Sequence, residues 1–63
     1  MAAKKLKKLR LSRNLRQLRL ATYLRIPTKQ YQRYELGLSD LPESVLTKLA
    51  EFFDVPVEYF LND

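Results

Sequence analysis

The sequence lacks the side chains on which most small catalytic or metal-binding domains depend. Its 63 residues include no cysteine and no histidine, which excludes disulfide bonds and the common zinc-ligand sets. The same absence removes the imidazole base and the thiolate nucleophile, and the single glycine, Gly37, cannot form a glycine-rich phosphate loop. The composition therefore predicts a protein that is not an enzyme and has no metal, cofactor or small-molecule substrate.

Long hydrophobic runs are also missing. The longest uncharged stretch is Leu20–Leu24, whereas a membrane span needs about 20 mostly apolar residues. Charges interrupt every candidate signal peptide as well. Hydrophobic residues nevertheless make up 46% of the chain, which argues against disorder. We therefore expect one soluble domain over residues 1–63, without a membrane partner.

Charge is divided unevenly along the chain. The formal net charge is +5, but residues 1–33 hold eleven of the twelve basic residues and no acidic one. Residues 34–63 hold all seven acidic residues and one basic residue, Lys48. This division predicts a basic face turned toward a polyanion, either DNA, RNA or an anionic membrane surface. A solvated charged surface without a partner is the alternative.

Hydrophobic spacing and helix-ending residues predict five short helices and no strand, so the fold class is all-α. The predicted helices are Lys4–Arg13, Gln17–Leu24, Thr28–Leu36, Glu43–Phe53 and a last short helix ending near Leu61. Asn14 and Gly37 suit the left-handed conformation that ends helices, whereas Pro27 and Pro42 suit helix starts. If residues 4–24 formed one helix, its leucines would lie on opposite sides, which disfavours a membrane-surface helix.

The second and third helices, joined by a short turn, predict a helix-turn-helix. Ala21 is small enough to let the two helices cross closely, and Tyr31 and Tyr34 share the inward face of the third helix. The outward face of that helix consists of four side chains that can donate hydrogen bonds: Thr28, Lys29, Gln32 and Arg33.

Four segments carry a resemblance to a known family. They are LKKLR at 6–10, LRQLRLATYL at 15–24, IPTKQYQRYELG at 26–37 and LPESVLTKLAEFFDVPVEYFL at 41–61. Together they resemble the phage-repressor and Cro-like, or XRE-type, helix-turn-helix family. The resemblance implies a compact five-helix bundle that acts as a transcriptional regulator, usually a repressor. It further implies a symmetric dimer on a pseudo-palindromic operator, in the prokaryotic cytoplasm with the nucleoid.

The resemblance also assigns residues to DNA. Base contacts match the outward face of the third helix, at Thr28, Lys29, Gln32 and Arg33. Lysine and arginine donate to guanine O6 and N7, glutamine pairs with adenine, and the threonine methyl can meet a thymine methyl. A guanine-containing half-site is therefore expected. Backbone contacts are expected at the start of the second helix and on the first helix, from Gln17, Arg16, Arg19, Lys4, Lys5 and Lys7.

Two further pairs follow from the resemblance. Arg10 and Glu35 match a structural ion pair between the first and third helices. Val57 and Tyr59 match positions of subunit contact, which would place two recognition helices about 34 Å apart on DNA.

The sequence departs from the family pattern at three places. Pro27 replaces the capping serine or threonine that is usual at the start of the third helix, so Thr28 can cap the helix instead. Arg25 lies where the turn usually has glycine, and a left-handed backbone there costs another residue about 1–2 kcal/mol. Asp40 and Glu43 lie in a loop where relatives often present basic or amide groups, so this loop is not expected to contact DNA.

Other functions stay open at this point. A protein-interaction or antitoxin-like module on the same fold would use Leu11, Leu18 and the acidic half as its surface. A membrane-active cationic helix is disfavoured by the break at Asn14, and an RNA binder by the lack of an exposed aromatic platform. Met1 favours a natural start, whereas the C-terminal end fits both a small Cro-like protein and a truncated repressor.

Overall fold

The computed structural model describes residues 2–61, and within them the chain forms five helices and no strand. The helices are α1 (Ala2–Ser12), α2 (Gln17–Leu24), α3 (Thr28–Leu36), α4 (Glu43–Phe53) and α5 (Glu58–Leu61). The all-α prediction is confirmed, and the bounds of α2, α3 and α4 are those expected from the sequence. The first helix begins two residues earlier than predicted and ends one residue earlier.

A residue in the left-handed backbone conformation lies just after each of the helices α1 to α4. Asn14 and Gly37 are the two that the sequence predicts. Gly37 ends α3 with φ 75°, and Asn14 follows α1 with φ 56°. Arg25 ends α2 in the same conformation, with φ 59° and ψ 43°, although it has a Cβ atom. There the Arg25 N–H donates to the Thr22 carbonyl at 3.1 Å, and the Ile26 N–H donates to the Ala21 carbonyl at 3.0 Å. The turn therefore keeps the hydrogen bonds that a glycine would form there.

Two prolines precede helices. Pro27 and Pro42 are extended residues directly before α3 and α4, with ψ of 145° and 153°. The first helical residues are therefore Thr28 and Glu43, as the predicted helix bounds have them. The Pro27 carbonyl accepts from the N–H groups of Gln30 and Tyr31 at 3.0 and 3.2 Å, so the proline sets the direction in which α3 starts.

One hydrophobic core joins all five helices. Its fully buried large side chains are Leu6, Leu20, Tyr31, Leu49, Phe53 and Phe60. Ala21 is 1% exposed at the crossing of α2 and α3, as its size predicts, and Leu15 in the α1–α2 connection packs against the core. Burial of this apolar surface is the main force that holds five short helices together, because isolated helices of this length are marginal in water.

Two sets of contacts position α3. It packs against α2 and against α1, and α1 also packs against α5. The third helix is therefore held from two sides, with its remaining face toward solvent. None of the helices within residues 2–61 combines the length and the apolar character that crossing a membrane requires.

Candidate nucleic-acid interface

The four residues expected to contact bases lie on the solvent side of α3. Lys29, Gln32 and Arg33 are exposed, and Thr28 at the first helical position is half-buried. Tyr31 and Tyr34, on the opposite side of the helix, are buried at 0% and 7% exposure. The structure thus brings the four together on one face, backed by aromatic side chains in the core.

A buried ion pair fixes α3 to α1. The Arg10 Nε donates to Glu35 Oε2 at 2.6 Å, and Arg10 Nη2 donates to Glu35 Oε1 at 3.1 Å. The third nitrogen of the guanidinium, Nη1, donates to the Leu15 carbonyl at 2.7 Å, which holds the α1–α2 connection. Arg10 and Glu35 are only 6% and 8% exposed, so each charge depends on the other for compensation.

Tyr31 completes the pair from within α3. Its hydroxyl donates to Glu35 Oε2 at 2.6 Å, one helical turn away on the inner face. Burial, followed by the hydrogen bond to Glu35, raises the pKa of Tyr31 well above its ordinary value, so the hydroxyl stays protonated and donates. From the sequence, Tyr31 is predicted only to pack on the inward face of α3. Its spacing of four residues from Glu35 is the signal that predicts the bond.

The hydrogen bonds to Glu35 also determine its protonation. Burial alone would raise the pKa of this carboxyl, but the hydrogen bonds from Arg10, Tyr31 and Gln17 outweigh that effect and lower it below the ordinary value. In return, the hydrogen bond to Glu35 raises the pKa of Arg10. The pair is therefore ionised at neutral pH.

Gln17 links this buried pair to the solvent face. Its Nε2 donates to Glu35 Oε1 at 3.1 Å, and its Oε1 accepts from Gln32 Nε2 at 3.1 Å. A residue expected to contact phosphate is thus hydrogen-bonded to one expected to contact a base. The amide of Gln17 carries a second N–H, which can donate to a phosphate oxygen at the start of α2.

The other expected phosphate contacts lie in two separate groups. Arg16 and Arg19 are exposed beside Gln17, and the Arg19 guanidinium lies 5.0 Å from the Phe52 ring centre. The other group lies on α1 and consists of Lys4, Lys5 and Lys7, of which Lys4 and Lys7 are exposed and Lys5 is half-buried.

Two of these cations rest on aromatic rings. Beside Arg19, the ring centres of Phe52 and Tyr23 lie 4.7 Å apart. The sequence does not predict this group of side chains, which joins α2 to α4. On the other side, Lys5 Nζ lies 5.1 Å from the centre of the Tyr59 ring. A cation over a ring face gains about 0.5–1 kcal/mol at exposed sites, which restrains where the charge is presented.

The residues expected at a subunit contact are only partly accessible. Val57 and Tyr59 are half-buried and pack against the core, and the Tyr59 ring meets that of Phe60 edge-on at 5.4 Å. Leu11 and Leu18, considered for a protein contact, are 53% and 62% exposed.

Comparison with known proteins agrees with this architecture. Residues 6–60 match the model of the helix-turn-helix family, and the chain belongs to that family. The five-helix fold and the exposed face of α3 are those of the DNA-binding helix-turn-helix class, which confirms the resemblance carried by the four sequence segments.

A curated relative is the SPbeta prophage-derived uncharacterized HTH-type transcriptional regulator YonR of Bacillus subtilis (strain 168). The two sequences are 34% identical over 62 residues. The match covers 98% of this chain but 57% of the relative, so the chain spans little more than half of the relative's length. No solved structure matches the chain significantly.

Proposed function

We propose that this chain represses transcription by binding operator DNA, with α3 in the major groove. The observation that carries the proposal is the outward face of α3, where Lys29, Gln32 and Arg33 are exposed side by side. Behind this face, the ion pair between Arg10 Nε and Glu35 Oε2, which lie 2.6 Å apart, holds α3 against α1. A rigid helix with three or four donors on one face is the arrangement that reads base edges in the major groove.

The side chains on this face have complementary preferences. Lys29 and Arg33 donate to guanine O6 and N7, and Gln32 pairs with adenine N6 and N7. The methyl group of Thr28 meets a thymine methyl. Because Gln17 accepts one N–H of Gln32 at 3.1 Å, the amide of Gln32 is oriented before DNA arrives. A half-site that contains guanine follows from this chemistry.

Backbone contacts set the register of the protein on the duplex. Gln17 occupies the start of α2, where free N–H groups favour an anion, and Arg16 and Arg19 are exposed next to it. Lys4, Lys5 and Lys7 on α1 supply further cations. These contacts add affinity that depends on salt and carry no direct sequence information.

We propose that the protein binds a pseudo-palindromic operator as a symmetric homodimer, in the cytoplasm. Val57 lies just before α5 and Tyr59 lies within it, and both side chains are half-buried, which leaves part of their surface for a second copy to contact around a two-fold axis. Two copies would place their recognition helices about 34 Å apart, one turn of DNA. The relative is named as a transcriptional regulator, which supports the regulatory part of this proposal.

Selection from a random duplex library tests the proposal, with enriched sequences read at about 0.1–0.2 M salt, where non-specific binding is weak. We expect a two-fold-symmetric motif with guanine in each half-site. Lys29→Ala and Arg33→Ala should relax the preference at individual bases, whereas Arg16→Ala, at an exposed residue proposed to contact phosphate, should weaken all sites alike. Lys48→Ala, on the exposed surface of α4, is the matched control and should leave the motif and its affinity unchanged. Binding that only fades with salt, with no enriched motif, would contradict the proposal.

Exposed leucines favour a second candidate, a protein-interaction or antitoxin-like module. Leu11 and Leu18 are 53% and 62% exposed, and a protein partner that covered them would remove apolar surface from water. If this is the function, Leu11→Ala and Leu18→Ala should abolish binding to a partner from the native host, and the library selection should return no motif. If the chain is an operator binder, both variants should select the same motif as the unchanged protein.

A further inference from the structure

An apolar side chain, Leu36, extends the outward face of α3. Leu36 follows Gln32 by four residues and Arg33 by three, the two spacings that put helical side chains on a common face. It is 69% exposed, the highest value among the exposed large hydrophobic residues of the described chain. The apolar group therefore continues the row of residues proposed to read DNA.

The surroundings of Leu36 show which way this row continues. Leu36, Lys4 and Lys8 line one shallow depression between the N-terminal half of α1 and the end of α3. Lys4 and Lys8 are both exposed and lie one turn apart on α1. Leu36 thus has the base-reading residues on one side and two cations on the other. The edge of a groove presents the same sequence of surfaces, with base edges followed by backbone phosphates.

The chemistry of the major groove limits what an isobutyl group can recognise there. Hydrogen-bond donors and acceptors make up the base edges, and the C5-methyl group of thymine is the apolar feature among them. The loop that follows α3 supports the same orientation, because the exposed side chains of Leu38 and Asp40 offer no cation to phosphate. The cations that line the depression at this end of α3 are lysines of α1.

We propose that Leu36 contacts the C5-methyl group of a thymine at a base pair next to those reached by Gln32 and Arg33, since Leu36 lies one turn of α3, about 5.4 Å, beyond these two residues. This inference rests on the proposed operator binding and adds to it a determinant of specificity. Leu36 acts by excluding water from the methyl group, so it favours thymine over cytosine and over uracil at one position of each half-site.

Replacement of thymine by deoxyuridine tests the contact, because it removes the methyl group and keeps the base pair. Each thymine of the selected operator is replaced in turn, in both half-sites. At one position we expect binding to weaken about fourfold per half-site, the effect of burying one methyl group. Leu36→Ala should bind the thymine operator more weakly by a similar factor, and should bind the thymine and deoxyuridine operators equally at that position.

Leu38→Ala is the matched control, since it removes a leucine that is 65% exposed two residues further on, outside α3. It should keep the full sensitivity to deoxyuridine. Thermal unfolding of both variants should match the unchanged protein, because neither side chain is buried. If Leu36→Ala weakens every operator with unchanged sensitivity to deoxyuridine, Leu36 serves a subunit contact instead, and the inference is wrong.

Failure of the inference can be told apart from failure of the proposed function. If the selection returns no motif, operator binding and the thymine contact both fall. If it returns a motif that Lys29→Ala and Arg33→Ala relax, operator binding stands. In that case a half-site without thymine, or one in which no deoxyuridine weakens binding, overturns the role of Leu36 alone.

Discussion

Four hydrogen bonds converge on the Glu35 carboxylate, two from Arg10 and one each from Tyr31 and Gln17. An ionised carboxylate accepts about four hydrogen bonds, so this group is fully satisfied although it is 8% exposed. Full satisfaction is what allows a charge to lie in the core of so small a domain. At the scale of single residues, the orientation of α3 depends on this carboxylate more than on any exposed side chain.

Acidification should therefore remove part of the stability. The pKa of Glu35 is lowered from its ordinary value of 4.5, so its contribution is complete above pH 4.5 and is lost as the pH falls through the lowered pKa. Glu35→Gln lacks this contribution at every pH. We expect the difference in free energy of unfolding between the two proteins to be largest at neutral pH and to shrink below pH 4.5. Urea titrations at a series of pH values measure it, and a constant difference would contradict the assignment.

The hydroxyl of Tyr31 should contribute more to the free energy of unfolding than an exposed tyrosine hydroxyl does. Tyr31→Phe removes the 2.6 Å hydrogen bond to Glu35 and leaves the ring in place. Because the acceptor is charged and buried, we expect the free energy of unfolding to fall by about 1.5–3 kcal/mol in urea denaturation. Tyr23→Phe, at an exposed position, is the control and should change it by less than about 0.5 kcal/mol. Equal losses of unfolding free energy in the two variants would mean that the buried hydrogen bond of Tyr31 adds no stability of its own.

The turn between α2 and α3 has an arginine at the position where the family resemblance leads us to expect glycine. Arg25 holds φ 59° there, which strains a residue with a Cβ atom. Arg25→Gly should remove that strain, and after the greater chain entropy of glycine we expect a net gain of about 0.5–1 kcal/mol in unfolding free energy. Arg25→Ala keeps the Cβ atom and removes the charge, so it should bring no gain. A gain of the same size in both variants would trace the effect to the charge.

Helix bounds and cross-helix bonds differ in how far sequence predicts them. The ends of α2, α3 and α4 follow from Gly37, the prolines and the apolar spacing, which are local properties of the backbone. The four exposed donors of α3 follow from the same spacing. The bonds of Gln17 to Glu35 and Gln32 do not, because they join residues 18 and 15 positions apart and depend on how α2 crosses α3. The contact of Arg19 with Phe52 is of the same kind, since it depends on where α4 lies.

At the scale of the whole molecule, the division of charge predicts how binding responds to salt. Lys7 lies in the basic half and Lys48 in the acidic half, and both are exposed. If the α1 cations contact phosphate, Lys7→Ala should reduce the slope of log K against log salt by about one, as loss of one phosphate contact does. Lys48→Ala should leave the slope unchanged. Fluorescence anisotropy with the operator over a range of salt concentrations measures both, and equal slopes would exclude Lys7 from the interface.

The contact between Lys5 and Tyr59, 5.1 Å from ammonium to ring centre, brings the two ends of the described chain side by side. Because α1 and α5 lie next to each other, the helices can be connected in a different order without moving them, as in a circular permutant. A short flexible linker can join α5 to α1, and new ends can open between Leu38 and Leu41, in the loop that follows α3. Such a permutant would keep α1, α2 and α3 contiguous, and with them the Arg10–Glu35 pair and the whole reading face.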